Sequence, residues 1–169
     1  MSDQLFAFSQ FLSGPASAAD KATVLAEVRN KFSAHPDSIE TYVGVIAGLD
    51  SDDAPRLIRQ LMGDAAMFDP AQAGHARTAV RMWAGQRKRS LLTDAGLDLT
   101  VEMFLAIGRV NQYSAQSFIA ALNDLPKFDA ETKKKIIAAV RRMHAGLDPV
   151  KEESLYNQLT ATLAPYKDQ

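Results

Sequence analysis

Apolar residues recur along most of the chain at intervals of three and four positions, the spacing of one face of an α-helix. Between residues 18 and 34, for example, Val24, Leu25, Val28 and Phe32 form such a stripe. Alternating runs rich in Val, Ile and Thr, which would indicate strands, are missing from the sequence. The pattern therefore predicts an all-α protein.

Helix-breaking residues divide this pattern into short segments, because proline cannot continue a helical hydrogen-bond ladder. The predicted helices cover residues 3–12, 18–34, 37 onward, 51–62, 70–83, 98–108, 111–122, 129–146 and 149–165. Short helices joined by short connectors favour a superhelical array of antiparallel helix pairs over a bundle of long rods. We expect one armadillo- or HEAT-like solenoid domain that spans residues 1–169.

Polar residues mark several of the helix starts. Asp37 and Glu40 have the spacing of a capping box, in which both side chains satisfy free backbone N–H groups. Asn111 is predicted to end one helix and begin the next, and Asp129 is predicted to cap a long helix. A further helix is expected to begin at Asp98.

Composition limits the class of protein. The 169 residues suffice for one core, and 47% hydrophobic with 23% charged residues is typical of a globular domain. The absence of cysteine excludes disulfides, thiolate nucleophiles and iron–sulfur clusters. No run approaches the roughly 20 apolar residues that cross a bilayer, and the N-terminus lacks a secretory signal. We expect a monomeric, cytoplasmic protein without a membrane association.

Motifs for catalysis and cofactor binding are not found. His35, His75 and His144 lack the H-E-x-x-H spacing of a catalytic zinc site, and each has a simpler structural explanation. We expect a loop position for His35, a helix flank for His75 and a helix C-terminus for His144. The glycines are isolated, so no phosphate-binding loop is present. The sequence predicts no catalytic residues, no metal site and no cofactor.

Basic residues cluster in the second half of the chain, although the formal net charge is only −1. The candidate surface residues are Arg87, Lys88, Arg89, Lys133, Lys134, Lys135, Arg141 and Arg142. On one surface they could bind phosphates, because affinity grows with the number of phosphates neutralised together. The favoured interpretation is that they are solvated helix faces balanced by Asp94, Glu102 and Asp124. Nucleic-acid binding is therefore expected to be weak.

The aromatic residues Trp83, Phe104 and Phe118 are expected to pack in the core rather than line a groove.

An apolar helical pattern with a few polar landmarks runs through residues 54–68, 77–85, 101–107, 111–118, 127–133 and 155–159. These stretches resemble the C-terminal helical domain of M1-family aminopeptidase N. The chain departs from the family in the loop around residues 91–98, and Asn111-Gln112-Tyr113 stands where the family has Asn-Pro-Gln. These departures fall where the family domain faces the rest of the enzyme.

The resemblance implies a superhelix of antiparallel helix pairs that closes over a zinc peptidase domain and restricts access to its active site. It implies that the zinc centre belongs to that other domain, so this chain is expected to be non-catalytic on its own and to bind a protein partner. The partner would be an M1 peptidase catalytic domain if the chain is part of a longer enzyme. A stand-alone scaffold and a nucleic-acid-binding helical module are the alternatives, and an enzyme with an unrecognised site ranks third.

Overall fold

The computed structural model describes residues 2–167, with side chains from residue 4 onward. Ten α-helices follow one another in this part of the chain, which contains no strand. They are α1 (Ser2–Ser13), α2 (Ala18–Ser33), α3 (Pro36–Ala47), α4 (Ala54–Met62), α5 (Ala73–Gly85), α6 (Arg87–Ser90), α7 (Asp94–Gly108), α8 (Gln112–Ala121), α9 (Ala130–Ala145) and α10 (Glu153–Leu163). Short 3-10 helices at Leu122–Lys127 and Ala164–Tyr166 follow α8 and α10.

The helices form two packed rows, which confirms the predicted all-α helical-repeat fold. Row A consists of α1, α3, α5, α8 and α10, each of which packs against the next. In row B, α4 packs on α7 and α7 packs on α9, while α2 packs on α3 at the first end of the array. Contacts between α3 and α4, α7 and α8, and α9 and α10 join the rows. Each helix therefore buries one stripe against its neighbours.

Two of the predicted helix starts are confirmed by local capping. The Asn111 side chain accepts a hydrogen bond from the Ser114 backbone N–H at the start of α8. Asp129 accepts from the backbone N–H groups of Glu131 and Thr132 at the start of α9. These caps satisfy donors that the first helical turn leaves free, and they need no contact from elsewhere in the chain.

The helix predicted from Asp37 begins within one residue of that position, but its capping box and the helix start predicted at Asp98 were wrong. Helix α3 begins at Pro36, and Glu40 accepts a hydrogen bond from the Thr78 hydroxyl on α5 instead of completing a capping box. Helix α7 begins at Asp94 rather than at Asp98, because the Thr93 hydroxyl caps it by accepting from the Gly96 N–H. In both cases a polar side chain is used differently from the predicted local motif.

Glycines permit a close approach between α3 and α5 in row A. A Cβ on Gly44 would lie 3.2 Å from the Thr78 Cγ2 atom, and one on Gly48 would lie 2.7 Å from the Met82 Cε atom. Gly44 on α3 and Gly48 directly after it are one turn apart and therefore let α3 approach α5 closely. This approach places the exposed residues of α3 and α5 on one continuous face.

The predicted core aromatics lie in the interior. Trp83 and Phe104 are fully buried, Phe118 is almost so, and the rings of Phe104 and Phe118 meet edge to face. The Trp83 indole N–H donates to the Thr100 hydroxyl, which donates in turn to the Ser90 carbonyl. This chain joins α5, α6 and α7, because a buried indole N–H requires an acceptor.

The last helix belongs to the core. Leu155 and Leu159 are fully buried, and α10 packs against both α8 and α9. Among the helices of residues 2–167, none has both the length and the apolar character that a membrane crossing requires.

Candidate interaction surface

The first basic cluster lies on α6, where two of its three members are paired. Arg87 forms an ion pair with Asp124 at 2.6 Å, and its guanidinium also lies over the Phe128 ring. Arg89 contacts the carboxylates of two aspartates in the α3–α4 connection, Asp50 and Asp52. Lys88 is exposed and has no such partner among the described residues. The cluster is therefore used largely to hold α6 against neighbouring elements.

The second cluster lies on α9 and points in more than one direction. Lys135 and Arg142 face α7, where they pair with Asp94 at 3.0 Å and Asp98 at 2.5 Å. Arg141 donates to the Tyr166 carbonyl beyond α10. The remaining members, Lys133 and Lys134, form no ion pair within residues 2–167.

The three acidic residues that were expected to balance the basic clusters do not all pair with them. Asp94 and Asp124 do pair with the basic clusters, whereas Glu102 is held by a bidentate contact from Arg59 on α4. The eight basic candidates thus lie on two separate helices, and four of them already contact carboxylates. The structure does not gather the eight cations into one unpaired patch.

Two arginines outside the predicted clusters differ from all the others. Six of the ten arginines pair with carboxylates: Arg29, Arg56, Arg59, Arg87, Arg89 and Arg142. Arg109 and Arg141 donate to backbone carbonyls. Arg77 and Arg81 are exposed, and within the described part of the chain neither forms a hydrogen bond or an ion pair. They lie one turn apart on α5, in the middle of row A.

A groove follows α5 and α8 beside these arginines, and we call it the α5–α8 groove. One cavity of about 320 Å³ is bordered by Arg77, Arg81 and Tyr113, and an adjoining one of about 300 Å³ continues past Arg81. Both cavities share Ser117 and Ala120, so small side chains form the common floor. Tyr113 is 77% exposed at one end of the groove.

A second groove on the same face lies between α1, α3 and α5. Its volume is about 560 Å³, and its lining includes Gly44, Gly48 and the partly exposed side chains of Phe6 and Met82. Phe6 is 66% exposed and Met82 43% exposed. Exposed apolar side chains that border a groove are typical of protein interaction sites.

A smaller cleft of about 190 Å³ separates α2 from α4 in row B. Arg29 and Asp64 close one side of it through two contacts of 2.8 and 2.9 Å, which lower the pKa of the Asp64 carboxyl. Tyr42 lies at its base, and burial raises the pKa of Tyr42 to about 12. The ion pair between Arg29 and Asp64 therefore joins α2 to the segment that follows α4.

The three histidines lie on different elements and occupy structural positions. His35 precedes α3 as expected, and His144 near the end of α9 contacts the Thr160 hydroxyl at 2.8 Å. His75 is buried rather than on an exposed flank, and its Nδ1 accepts from the Asp69 N–H. Burial lowers the pKa of His75. Residues 2–167 contain no group of three or more His, Asp or Glu residues that could hold a metal ion.

Comparison with known proteins agrees with this architecture. The sequence profile of a family described as "Domain of unknown function (DUF3458_C) ARM repeats" matches residues 1–157. No curated protein sequence matches the chain significantly. The match covers nearly every helix of both rows and agrees with the absence of strands in the described residues. The chain therefore belongs to this ARM-repeat family, the C-terminal domain of the M1 aminopeptidase N family.

Proposed function

We propose that this chain is a protein-interaction domain that docks on an M1 peptidase catalytic domain and restricts access to its active site. The exposed face of row A is the observation that carries the proposal. It combines two grooves with unpaired arginines and exposed Phe6, Met82 and Tyr113. Helical-repeat proteins use extended faces of this kind to bind other proteins.

The role is steric rather than chemical. Peptide hydrolysis by an M1 enzyme requires a metal-activated water and a carboxylate base held in one site. The three histidines lie on separate elements: His75 and His144 hydrogen-bond to neighbouring groups of the fold, and His35 precedes α3 without a side-chain capping bond. A rigid helical wall beside the active site of another domain would instead determine which substrates reach that site.

The nucleic-acid alternative has less support. Affinity for a polyanion depends on how many phosphates are neutralised together. Arg87, Arg89, Lys135 and Arg142 already contact carboxylates of this chain, so a phosphate contact at any of these four side chains would have to replace an ion pair. The ion pairs therefore reduce the number of cations in the predicted clusters that a phosphate backbone could engage without loss.

The proposal is tested with an M1 aminopeptidase N from which the corresponding C-terminal domain has been removed. We expect this chain to bind that enzyme in calorimetry and to lower kcat/KM for long peptides more than for a single aminoacyl amide. The variant Phe6→Ser with Met82→Ser should weaken binding, because it removes exposed apolar contacts from the row A face.

The matched control changes Leu92 and Val150 to Ser, since these residues are also exposed and apolar but lie outside that face. Undetectable binding, or an equal effect on long and short substrates, would contradict the proposal. Metal-dependent amide hydrolysis by the isolated chain would favour the enzyme alternative instead.

A further inference from the structure

We propose that the α5–α8 groove binds an extended acidic segment of the partner protein, with Arg77 and Arg81 as the carboxylate-binding residues. The inference rests on the proposed function and specifies the chemistry of its partner. Its basis is the difference between these two arginines and the other eight, each of which has an acceptor within the protein.

The charge of the groove favours a carboxylate ligand. Two positive side chains one turn apart on a helix repel one another, and no acidic residue of the described chain pairs with either. Asp124 at the far end of the groove is held by Arg87 and Lys127, and Glu40 on α3 accepts from Thr78. The two free guanidinium groups are therefore the uncompensated charges of the groove.

The spacing of the arginines selects an extended peptide. Four residues of helix separate the α-carbons of Arg77 and Arg81 by about 6 Å. In an extended chain, side chains two residues apart point to the same side and lie about 6.6 Å apart. A segment with two acidic residues separated by one other residue would therefore place one carboxylate beside each guanidinium, where bidentate hydrogen bonds can form.

The floor and the end of the groove suit such a segment. Ser117 and Ala120 have small side chains that let a peptide backbone approach α8. From Arg77 to Gly85 the groove follows about 12 Å of helix, the length of roughly four extended residues. Tyr113 offers an exposed ring and hydroxyl beside the first arginine, and tyrosine is a common anchor in interfaces.

The test measures binding of a fluorescent peptide of about eight residues that contains glutamate, alanine and glutamate in succession. Fluorescence anisotropy with the full chain should show saturable binding, which a peptide with lysines in place of the glutamates should lack. The variant Arg77→Gln with Arg81→Gln should weaken binding by about tenfold or more, because both charge-assisted contacts are lost. The variant Arg77→Lys with Arg81→Lys retains both positive charges but lacks the planar guanidinium group that can form two parallel hydrogen bonds to a carboxylate. It should therefore give an intermediate loss of affinity.

The matched control is Lys88→Gln with Lys134→Gln, which removes the same net charge from exposed positions outside the groove. We expect less than about a twofold change for this control if the groove is specific. Equal weakening by both pairs of substitutions would overturn the inference, as would absence of binding at millimolar peptide. Tighter binding of a single-stranded oligonucleotide that depends on Arg77 and Arg81 would overturn it as well.

The same variants separate this inference from the proposed function. If the chain docks on the peptidase catalytic domain but does not bind the acidic peptide, the inference fails and the proposed function stands. If the acidic peptide binds but docking is absent, the proposed function fails. Circular dichroism melting curves of each variant show whether the fold is retained, and both arginines are exposed, so we expect it to be.

Discussion

Replacing Leu159 by Ala is the sharpest test of how the last helix contributes to stability. Leu159 is fully buried on α10, which packs against α8 and α9. The substitution removes three carbon atoms from this contact and leaves a cavity that the helices on both sides can only partly close. Such changes at fully buried leucines lower the free energy of unfolding by about 2–5 kcal/mol.

The expected shift is large enough to measure reliably. For a domain of this size, each kcal/mol corresponds to about 2–4 °C in Tm. A loss of about 3 kcal/mol would therefore lower the melting temperature by roughly 6–12 °C. Urea unfolding followed by circular dichroism should show a lower midpoint with an unchanged slope, since the area exposed on unfolding stays nearly the same.

Asn157→Ala is the matched control, because Asn157 is exposed on the same helix. It should change stability by less than about 0.5 kcal/mol. If Leu159→Ala were no more destabilising than Asn157→Ala, α10 would not be part of the core. A chain truncated after Gly146 that melts as high and as sharply as the full chain would refute the argument directly.

Three further predictions concern packing, pH and nucleic acid. Gly96→Ala should unfold the chain or displace α6, because a Cβ at this position would lie 1.6 Å from the Arg89 carbonyl oxygen. A melting curve like that of the unchanged protein would contradict this expectation. Arg29 lowers the pKa of the Asp64 carboxyl in the folded protein, so the ionised carboxylate stabilises the fold. This stabilisation is fully present above the pKa that the carboxyl has in the unfolded chain, and it is lost as the pH falls through the lower pKa of the folded protein. The stability difference from Asp64→Asn should therefore be constant near neutral pH and shrink below about pH 4, and urea titrations showing a difference that grows in acid would exclude this origin. Nucleic acid should bind weakly, and its affinity should fall steeply as the salt concentration rises. Submicromolar binding at about 150 mM salt that is abolished by the substitutions Lys133→Glu, Lys134→Glu and Lys135→Glu would favour the nucleic-acid alternative.

Helix starts were predictable from the sequence where one short segment supplies all the contacts. Asn111 and Asp129 cap α8 and α9 by bonds to N–H groups two or three residues away, so the local sequence is sufficient. The Asp37 and Glu40 spacing located the start of α3 to within one residue, but its predicted capping box does not form because Thr78 supplies a competing donor from another helix. Thr93 was missed since its capping role depends on its place directly after α6.

The candidate site was less predictable than the fold. The runs of consecutive basic residues that begin at Arg87 and Lys133 were predicted as the candidate surface. Consecutive residues on a helix point in different directions, however, so such a run does not form one patch. The i, i+4 spacing of Arg77 and Arg81 was the available signal, because it places two like charges on one helix face. Their lack of partners depends on residues far apart in sequence, and no local pattern carries that information.

Apolar spacing and helix breakers in the sequence determined the all-α class, the order of most helices and the resemblance to the aminopeptidase domain. These features depend on interactions within a few turns of chain and on the burial of one stripe per helix. The tertiary structure alone decided which cations are neutralised, where small residues leave a groove, and that Arg77 and Arg81 share its border. Ion pairs such as Arg59 with Glu102 join residues 43 positions apart, so their formation depends on how whole helices pack.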